Sequence, residues 1–247
     1  MKFTKEKIDI SRIVYKSGGK KLEGLIFKPK GEGRFPGVIF IHGHKSDCWN
    51  SSMFGYRLAK NGFSAFLPSQ LGYGLSDGKP DFCGPKTVQG VIEGIKIFLG
   101  EKFVDKDRIG IWGISRGAIV SSLIAVKKPE IFKLAVFQSG AYEMKSNYKT
   151  TKIKGIKTVF KKEAGTSTKA FKERSSIYDM DKINFPVLIL HGENDNRISV
   201  KQAKMLDDKL IGFKKKHKTI IFPLDHYLTK TSINKYTLPF LNNLKKI

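Results

Sequence analysis

The stretch RIGIWGISRGAIVSS, residues Arg108–Ser122, changes its character at a single serine. Its first half is a short apolar run rich in β-branched residues, which predicts a buried strand, and its second half has the pattern of a helix. Ser115 stands at the join, between Gly113 and Gly117, in a G-x-S-x-G pattern. The two glycines leave room for a tight turn that displays the serine hydroxyl at the top of a sheet. We therefore predict a strand, a strained turn that carries a nucleophile, and a helix.

Apolar runs and helical patterns alternate along the rest of the chain. A pair of antiparallel strands joined by a Gly-Gly turn is predicted within residues 12–29. Strands that are separated by helices favour parallel pairing, so we predict a three-layer α/β fold with a mostly parallel sheet of about eight strands and helices on both faces. Further strands are predicted at residues 37–43, 63–68, 108–113, 134–140, 185–192 and 218–224, and helices at 51–61, 85–99, 115–127 and 199–210, before a C-terminal helical stretch.

Residues 141–182 interrupt this alternation. They contain no strong strand pattern, and they are too long for a simple connection in a compact domain. Open α/β sheets bind ligands at the carboxyl edge of their strands, so we predict that residues 141–182 form a cap or insertion over a site at that edge. Because the chain shows neither an internal repeat nor a linker, we expect residues 1–247 to form a single domain.

The chain is strongly basic, with a formal net charge of +24. Ten Lys or Arg residues stand against two Glu between Lys145 and Arg174, and KKKHK at residues 214–218 is a second basic cluster. Such a balance allows association with an anionic surface or an acidic substrate. Nucleic acid binding is not favoured, because few aromatic residues alternate with the lysines as a base-stacking surface requires.

Targeting and cysteine patterns favour a cytoplasmic protein. The N-terminal residues 1–21 carry frequent charges and lack the apolar stretch of a signal peptide or a membrane span. Cys48 and Cys83 form no disulfide framework and match no zinc spacing. We therefore expect a protein of a reducing compartment that uses no metal and no cofactor.

A serine nucleophile needs a histidine as general base, and a carboxylate must orient that histidine. Of the five histidines, His226 alone follows the last predicted strand, in a loop from which a base can reach Ser115. The carboxylate is expected on a loop between nucleophile and base, where Glu193 and Asp195 are both candidates. Asp225 directly precedes His226 and would point away from it in an extended segment.

Acyl chemistry on serine also needs N–H donors for a negatively charged oxygen. We predict that the backbone N–H groups of Arg116, after the nucleophile, and of His44, after the third strand, form this oxyanion hole. An alternative takes His42 and His44 as metal ligands, although no third ligand stands nearby. Residues expected to line the substrate site are His42, Trp49, Tyr73 and Tyr142.

Four blocks of sequence carry a family resemblance: VDKDRIGIWGISRGA, PEIFKLAVFQSG, FKERSSIYDMDKINFPVLILHGENDNRISVKQAKML and FPLDHY. Together they span about residues 36–240, and in type and order they resemble the α/β-hydrolase fold, within it the prolyl-oligopeptidase-like and dienelactone-hydrolase-like branch. The resemblance implies Ser115 as the nucleophile, Asp195 as the acid and His226 as the base. It implies no cofactor.

The chain departs from that family pattern in two places. His44 and Lys45 stand where the family often has small or glycine residues, and Arg116 and Ala118 stand where it often has an aromatic or small residue and a second glycine. The large oligopeptidases also carry a β-propeller that screens substrates, for which 247 residues leave no room. Ester or thioester cleavage of a small acyl substrate is therefore favoured over peptide cleavage.

These observations predict a carboxylesterase-like serine hydrolase that forms an acyl-enzyme on Ser115. The alternatives are a small peptidase or aminoacyl hydrolase, a thioesterase, and an acyltransferase that uses the same three residues. A further alternative is a non-catalytic protein of the same fold that binds an anionic partner through its basic surface. The sequence specifies neither the acyl preference nor the oligomeric state.

Overall fold

The structure is a computed structural model that describes residues 8–247, apart from the side chain of Lys230. Residues 1–7, on which part of the N-terminal prediction rests, lie outside this range. The described chain contains one sheet of eight strands. The strands are β1 (Asp9–Ser17), β2 (Lys20–Lys28), β3 (Phe35–Ile41), β4 (Ser64–Pro68), β5 (Val104–Ile114), β6 (Leu134–Gln138), β7 (Val187–Gly192) and β8 (His217–Phe222).

Helices separate most of the strands. Within the described range, no helix is both long and apolar enough to cross a membrane. A π-helical turn (Ile233–Thr237) and 3-10 turns (Pro129–Ile131, Ser176–Lys182, Asn242–Lys246) complete the helical structure. The α-helices are α1 (Ser52–Lys60), α2 (Pro85–Gly100), α3 (Arg116–Lys127), α4 (Met144–Thr150), α5 (Lys154–Ala164), α6 (Thr168–Lys172), α7 (Lys201–Gly212), α8 (Lys230–Ser232) and α9 (Leu238–Leu241).

The sheet has the order β1-β2-β4-β3-β5-β6-β7-β8. Strand β2 pairs antiparallel with both β1 and β4, whereas all pairs from β4 across to β8 are parallel. The inner strands β4, β6 and β7 are buried along their whole length, as parallel strands covered on both faces must be. The predicted mostly parallel sheet of about eight strands is confirmed.

Two apolar clusters fill the space on opposite faces of the sheet. Successive residues of β3 alternate between them: Ile39 belongs to the cluster that includes residues of α2, α3 and α7, and Phe40 belongs to the cluster that includes residues of α1 and of the C-terminal helices. In β5, Ile111 belongs to the same cluster as Ile39, and Trp112 belongs to the same cluster as Phe40. Because side chains alternate across a strand, each central strand contributes to both clusters. The arrangement is the predicted three-layer fold.

Some element boundaries differ from the prediction. Helix α3 begins at Arg116 rather than Ser115, because Ser115 has a φ of 57°, which no right-handed helix accommodates. Strand β5 begins at Val104, four residues before the predicted start. Helix α7 begins at Lys201, whose N–H donates to the hydroxyl of Ser199, the residue at which the helix was expected to start.

The segment of residues 141–182 is helical and contains α4, α5, α6 and a 3-10 turn, with no strand. Its aromatic side chains pack against the rest of the domain: the ring of Phe160 stacks on Phe171 at 5.0 Å between centroids and meets Phe82 edge-on at 4.8 Å. The guanidinium of Arg174 donates to the backbone carbonyl of Phe82 over 3.0 Å. These contacts attach the segment to the loop before α2.

The turn between β5 and α3 passes very close to its neighbours. A Cβ atom on Gly117 would lie 1.9 Å from the carbonyl oxygen of Ile41 in β3, and one on Gly113 would lie 2.1 Å from the carbonyl oxygen of Gly117. Backbone atoms block both positions, so no side chain can be accommodated by a rotamer change. Glycine at residues 113 and 117 is therefore a steric requirement of the turn.

We expect Gly117→Ala to lower the free energy of unfolding by about 3 kcal/mol, because the added methyl group must push β3 and α3 apart. Gly155→Ala is the matched control, since no atom lies within 4 Å of a Cβ added in this part of α5. Alanine is also the better helix former, so the control should lose no stability. Urea denaturation of both variants measures the difference, and equal stabilities would contradict the steric requirement.

Candidate active site

Ser115 lies on the turn between β5 and α3, at the carboxyl edge of the sheet. Its backbone has φ 57° and ψ −118°, a conformation that is rare for any residue with a side chain. The Ser115 N–H donates to the carbonyl oxygen of Gln138 in β6 over 2.8 Å, and the Ser115 carbonyl accepts from the N–H of Ala118. These bonds hold the strained turn in place.

His226 lies in the loop after β8, and its ring joins Ser115 to a carboxylate. Nε2 lies 2.9 Å from Ser115 Oγ, and Nδ1 lies 2.6 Å from Asp195 Oδ2. An ionised carboxylate only accepts, so Nδ1 carries the proton and Nε2 is left to accept one from the serine. The backbone carbonyl of His226 accepts from the hydroxyl of Ser139 over 3.2 Å, which ties the loop to the end of β6.

Asp195 lies in the loop after β7, and both of its carboxylate oxygens are bonded. Oδ1 accepts from the N–H groups of Arg197 and Ile198, each over 2.9 Å, while Oδ2 faces His226. Glu193, the other candidate acid, is exposed. The structure therefore brings Asp195, and not Glu193, to His226.

The electrostatic environment keeps Asp195 ionised. Burial raises the pKa of Asp195, but the hydrogen bonds from His191 and His226, the charge of His226 and the N–H of Ile198 together outweigh burial. The pKa of Asp195 consequently lies well below the ordinary range of an aspartate. A negative charge next to His226 Nδ1 is what a base needs to stabilise its protonated form.

A second histidine contacts the same carboxylate, and it is not among the site residues predicted from the sequence. His191, in β7, is fully buried, and its Nε2 lies 2.8 Å from the carbonyl oxygen of Ile198 and 3.3 Å from Asp195 Oδ2. Since a carbonyl only accepts, Nε2 carries the proton and donates towards both oxygens. The available signal was the position of His191 at the end of a strand, four residues before Asp195.

The two predicted oxyanion donors lie on neighbouring loops. His44 follows β3, and Arg116 is the first residue of α3, directly after Ser115. Among the backbone hydrogen bonds of residues 8–247, neither the His44 N–H nor the Arg116 N–H donates to a protein acceptor. Both groups are therefore available to another acceptor.

His42 does not line the site as expected, because it is 1% exposed. Its Nε2 accepts from the N–H of Gln70 over 3.0 Å, its Nδ1 donates to the carbonyl of Gly43 over 2.8 Å, and the Gln70 side chain donates to the His42 carbonyl. Burial lowers the pKa of His42 to about 4. Both ring nitrogens are used in tying β3 to the loop after β4, so the alternative of a metal held by His42 and His44 has no support. In the part of the chain that the structure describes, no cluster of three or more His, Cys, Asp or Glu side chains is placed to bind a metal.

The side chain of Arg116 is buried and paired with an acid of the 141–182 segment. Its NH2 lies 2.6 Å from Oε2 of Glu163 in α5, its NH1 donates to the hydroxyl oxygen of Tyr73, and its guanidinium carbon lies 4.2 Å from the centroid of the Phe82 ring. Glu163 is not among the site residues predicted from the sequence. The available signal was that Glu163 is one of only two acidic residues between Lys145 and Arg174.

The remaining predicted lining residues fall in different places. Tyr142 is fully buried against Phe137, so the expectation that it lines the substrate site is wrong. Trp49 is half exposed, and its indole N–H donates to Glu23 of β2 over 3.3 Å, which directs it towards that strand. Tyr73 lies 3.0 Å from Nδ1 of His44 and so contacts the predicted oxyanion loop.

Both cysteines are buried free thiols. Burial raises the pKa of Cys48 and of Cys83 to about 12, so neither forms a thiolate near neutral pH.

Two open cavities, of about 520 Å³ beside Phe103 and about 410 Å³ beside Phe185, include none of Ser115, Asp195 and His226 in their linings. The hydrogen-bonded series of Ser115, His226 and Asp195 therefore lies outside both cavities.

Known proteins share both the sequence pattern and the fold. The model of the prolyl oligopeptidase family matches residues 81–238, which include Ser115, Asp195 and His226. The uncharacterized peptidase YtmA of Bacillus subtilis is 28% identical over 213 residues, covering 84% of this chain and 80% of the relative. These matches confirm the resemblance inferred from the sequence.

Solved structures of similar fold include both peptidases and an esterase. The acylaminoacyl peptidase of Pyrococcus horikoshii superposes with a TM-score of 0.77 at 21% identity, and this chain spans 40% of its length. The acetyl xylan esterase from Paenibacillus sp. R4 superposes with a TM-score of 0.81 at 15% identity, over 98% of this chain and 86% of the esterase. At such identities the likeness shows the fold, and the same fold occurs with different substrates.

We expect Asp195→Asn to lower the free energy of unfolding by about 2 kcal/mol at pH 7 and by less at pH 3. The pKa of Asp195 is lower in the folded chain than the ordinary value of about 3.9. The carboxylate therefore stabilises the fold above that value, and this contribution is lost as the pH falls towards the folded pKa. Urea denaturation at pH 7, 5 and 3 measures the difference.

Asp225→Asn serves as the control, because Asp225 is an exposed carboxylate on the loop that carries His226. Its effect should be small and nearly independent of pH. A loss in Asp195→Asn that is as large at pH 3 as at pH 7 would show that charge is not what stabilises this position.

Proposed function

The chain belongs to the prolyl oligopeptidase family of serine hydrolases, and we propose that it cleaves an ester or other acyl bond of a small substrate through an acyl-enzyme on Ser115. One observation carries this proposal: the continuous series of hydrogen bonds from Ser115 through His226 to Asp195. Each residue of the series comes from a different loop at the carboxyl edge, where α/β enzymes act. The three residues match the nucleophile, base and orienting carboxylate of a serine hydrolase.

The reaction has two halves. Ser115 Oγ attacks the acyl carbon while His226 Nε2 takes the serine proton; the bond to the leaving group then breaks, and the leaving group receives that proton. A water molecule next gives a proton to His226 and attacks the acyl carbon, and Ser115 departs with the proton as the acid is released. Asp195 remains ionised throughout and keeps the proton of the imidazole on Nδ1.

The backbone N–H groups of His44 and Arg116 are the proposed donors to the tetrahedral oxygen. Two features support them: neither donates elsewhere within residues 8–247, and Arg116 directly follows the nucleophile. Donors that are aimed in advance at the developing charge stabilise the transition state more than the ground state. The loss of one such donor costs about 3 kcal/mol of transition-state stabilisation.

Esters are the first substrate class in this proposal, and peptides are the second. An acetyl xylan esterase matches this chain over 86% of its own length, so another protein of similar size and fold is an esterase. The family match and the relative YtmA, named as a peptidase, favour peptide or aminoacyl bonds. An alcohol is a better leaving group than an amine. Cleavage of an ester therefore requires less proton donation from His226 to the leaving group than cleavage of a peptide bond does.

We also propose that the described chain is one domain in which residues 141–182 cover the site. The ion pair between Glu163 and Arg116 supports this, because it places α5 against the residue after the nucleophile. The aromatic contacts of Phe160 with Phe82 and Phe171 support it as well.

Fluorophosphonate labelling followed by intact mass measurement tests the nucleophile. We expect one adduct on the wild-type chain and none on Ser115→Ala, because this probe reacts with a serine that a histidine activates. Ser115→Ala and His226→Ala should each lower kcat/KM for a p-nitrophenyl ester at least about 10⁴-fold. His217→Ala, at the start of β8, is the matched histidine control and should retain turnover.

A p-nitrophenyl ester and a p-nitroanilide of the same acyl group separate the two substrate classes. Turnover of the ester alone, above the background of Ser115→Ala, is the expected result. Anilide turnover that Ser115→Ala abolishes would establish peptide bonds as substrates instead. Absence of an adduct on the wild-type chain would contradict the hydrolase proposal and leave the basic surface as the guide to function.

Calorimetry tests the single domain. We expect one cooperative transition, and we expect Phe160→Ala to lower its midpoint by about 10 °C without splitting it. Phe160 is 1% exposed and packs between two parts of the fold, whereas Phe213→Ala removes a partly exposed ring and should shift the midpoint much less. A separate transition at lower temperature in wild type or Phe160→Ala would show that residues 141–182 unfold on their own.

A further inference from the structure

Four side chains form a continuous series from helix α5 to the loop after β3. Glu163 pairs with Arg116, Arg116 donates to Tyr73, and Tyr73 bonds His44. We propose that Glu163, Arg116 and Tyr73 act as positioning residues that hold the His44 loop, and thereby the oxyanion donors, in their reactive placement. This inference rests on the proposed function, since it concerns the transition state of that reaction.

The series begins with a buried ion pair. The Arg116 and Glu163 side chains are 7% and 15% exposed, and their nearest atoms are 2.6 Å apart. Glu163 also accepts from the N–H of Phe82 over 3.1 Å, and the Phe82 ring covers the guanidinium. A buried guanidinium needs a counter-charge, so Glu163 fixes where the Arg116 side chain can lie.

The direction of each hydrogen bond follows from the chemistry of the groups. A guanidinium only donates, so the hydroxyl oxygen of Tyr73 is the acceptor from Arg116 NH1. The O–H of Tyr73 is then free to donate to His44 Nδ1, which lies 3.0 Å away. This pattern requires His44 to be neutral, with an unprotonated Nδ1.

The charges around His44 maintain that state. Partial burial of the imidazole and the positive charges of Arg116, Lys45 and Arg197 lower the pKa of His44 to about 4. His44 is therefore neutral across the neutral pH range and can accept from Tyr73. Protonation of Nδ1 would replace the acceptor by a second donor and break the series at its end.

Tyr73 thus bridges the side chains of the two residues whose backbone N–H groups are the proposed oxyanion donors. His44 and Arg116 are also two of the positions at which the sequence departs from the family pattern. The hydroxyl of Tyr73 accounts for both departures. It needs a hydrogen-bond acceptor on one side, which His44 provides, and a donor on the other side, which Arg116 provides. Misplacement of a donor by about 1 Å can cost about 10²-fold in rate, so a contact that fixes both donors bears directly on kcat.

A double-mutant cycle of Tyr73→Phe and Glu163→Gln tests the series, with kcat and KM measured on the p-nitrophenyl ester that wild type turns over best. We expect each single variant to lower kcat about 10-fold with KM changed less than about 3-fold, because the donors act mainly in the transition state. The double variant should lose less than the product of the two, because both changes interrupt one series. Affinity for a boronic acid analogue of the transition state should fall in parallel with kcat.

Asp105→Asn is the matched control. Asp105 pairs with Arg108 over 2.8 Å, with both side chains partly buried, near the start of β5 and so at the opposite edge of the sheet from Ser115. Loss of this ion pair in Asp105→Asn should lower the melting temperature and leave kcat unchanged. Glu163→Gln also lowers stability, since it leaves a buried guanidinium unpaired, so Tyr73→Phe, which keeps the ring, provides the decisive value of kcat.

Two further measurements separate this inference from the proposed function. Fluorophosphonate titration counts active serines, so every kcat refers to competent enzyme; an unlabelled wild type overturns the proposed function and this inference together. Nitrogen-15 NMR of the histidines should show the pKa of His44 rising in Tyr73→Phe, because the donor to Nδ1 is lost. Suppose that wild type is labelled and active. If Tyr73→Phe then has the kcat of wild type, or if the losses of kcat in Tyr73→Phe and Glu163→Gln multiply in the double variant, the inference fails and the proposed function stands.

Discussion

The close approach of the turn at Ser115 to the end of β3 is the contact on which the site depends. The carbonyl of Ile41 occupies the space that a side chain at residue 117 would need. The same strand leads directly into His42 and His44, so this contact also sets how near Ser115 lies to the loop after β3. A Cβ on Gly43 would lie 3.5 Å from the Cβ of Ser115, which shows how closely the two loops meet. The positive φ of Ser115 is tolerated because the surrounding backbone allows no other path.

Two buried charges of opposite sign accompany the serine, and each is compensated by a different means. Asp195 is held by hydrogen bonds from two histidines and two backbone N–H groups, and Arg116 is held by the carboxylate of Glu163. A charge buried without such partners would destabilise the fold by several kcal/mol. The partners of Asp195 and Arg116 are therefore also what allows these two buried charges to be stable within the fold.

The stretch between Lys145 and Arg174 is strongly basic, with ten Lys or Arg residues against two Glu. Glu163 is engaged with the buried side chain of Arg116, and Glu173 lies between Arg174 and Lys169, so most of the lysines of this stretch have no acidic partner within it. Peptidases and an esterase have folds similar to that of this protein. The fold by itself therefore does not specify a substrate.

The sequence alone determined the layers of the fold and the strand count, and it predicted Ser115, Asp195 and His226 as the site residues that the structure brings together. Those features depend on local patterns: apolar runs between helical stretches, glycines around Ser115, and His226 after the last strand. From the sequence, Asp195 could be preferred to Glu193 as the acid only through the family pattern. In the structure, Asp195 is buried beside His226, whereas Glu193 is exposed. The contacts of His191, Tyr73 and Glu163, and the burial of His42 and Tyr142, were decided only by the tertiary structure. These contacts join residues from separate parts of the chain, across as many as 81 positions between Phe82 and Glu163, and no local pattern specifies which distant side chains meet when the chain packs.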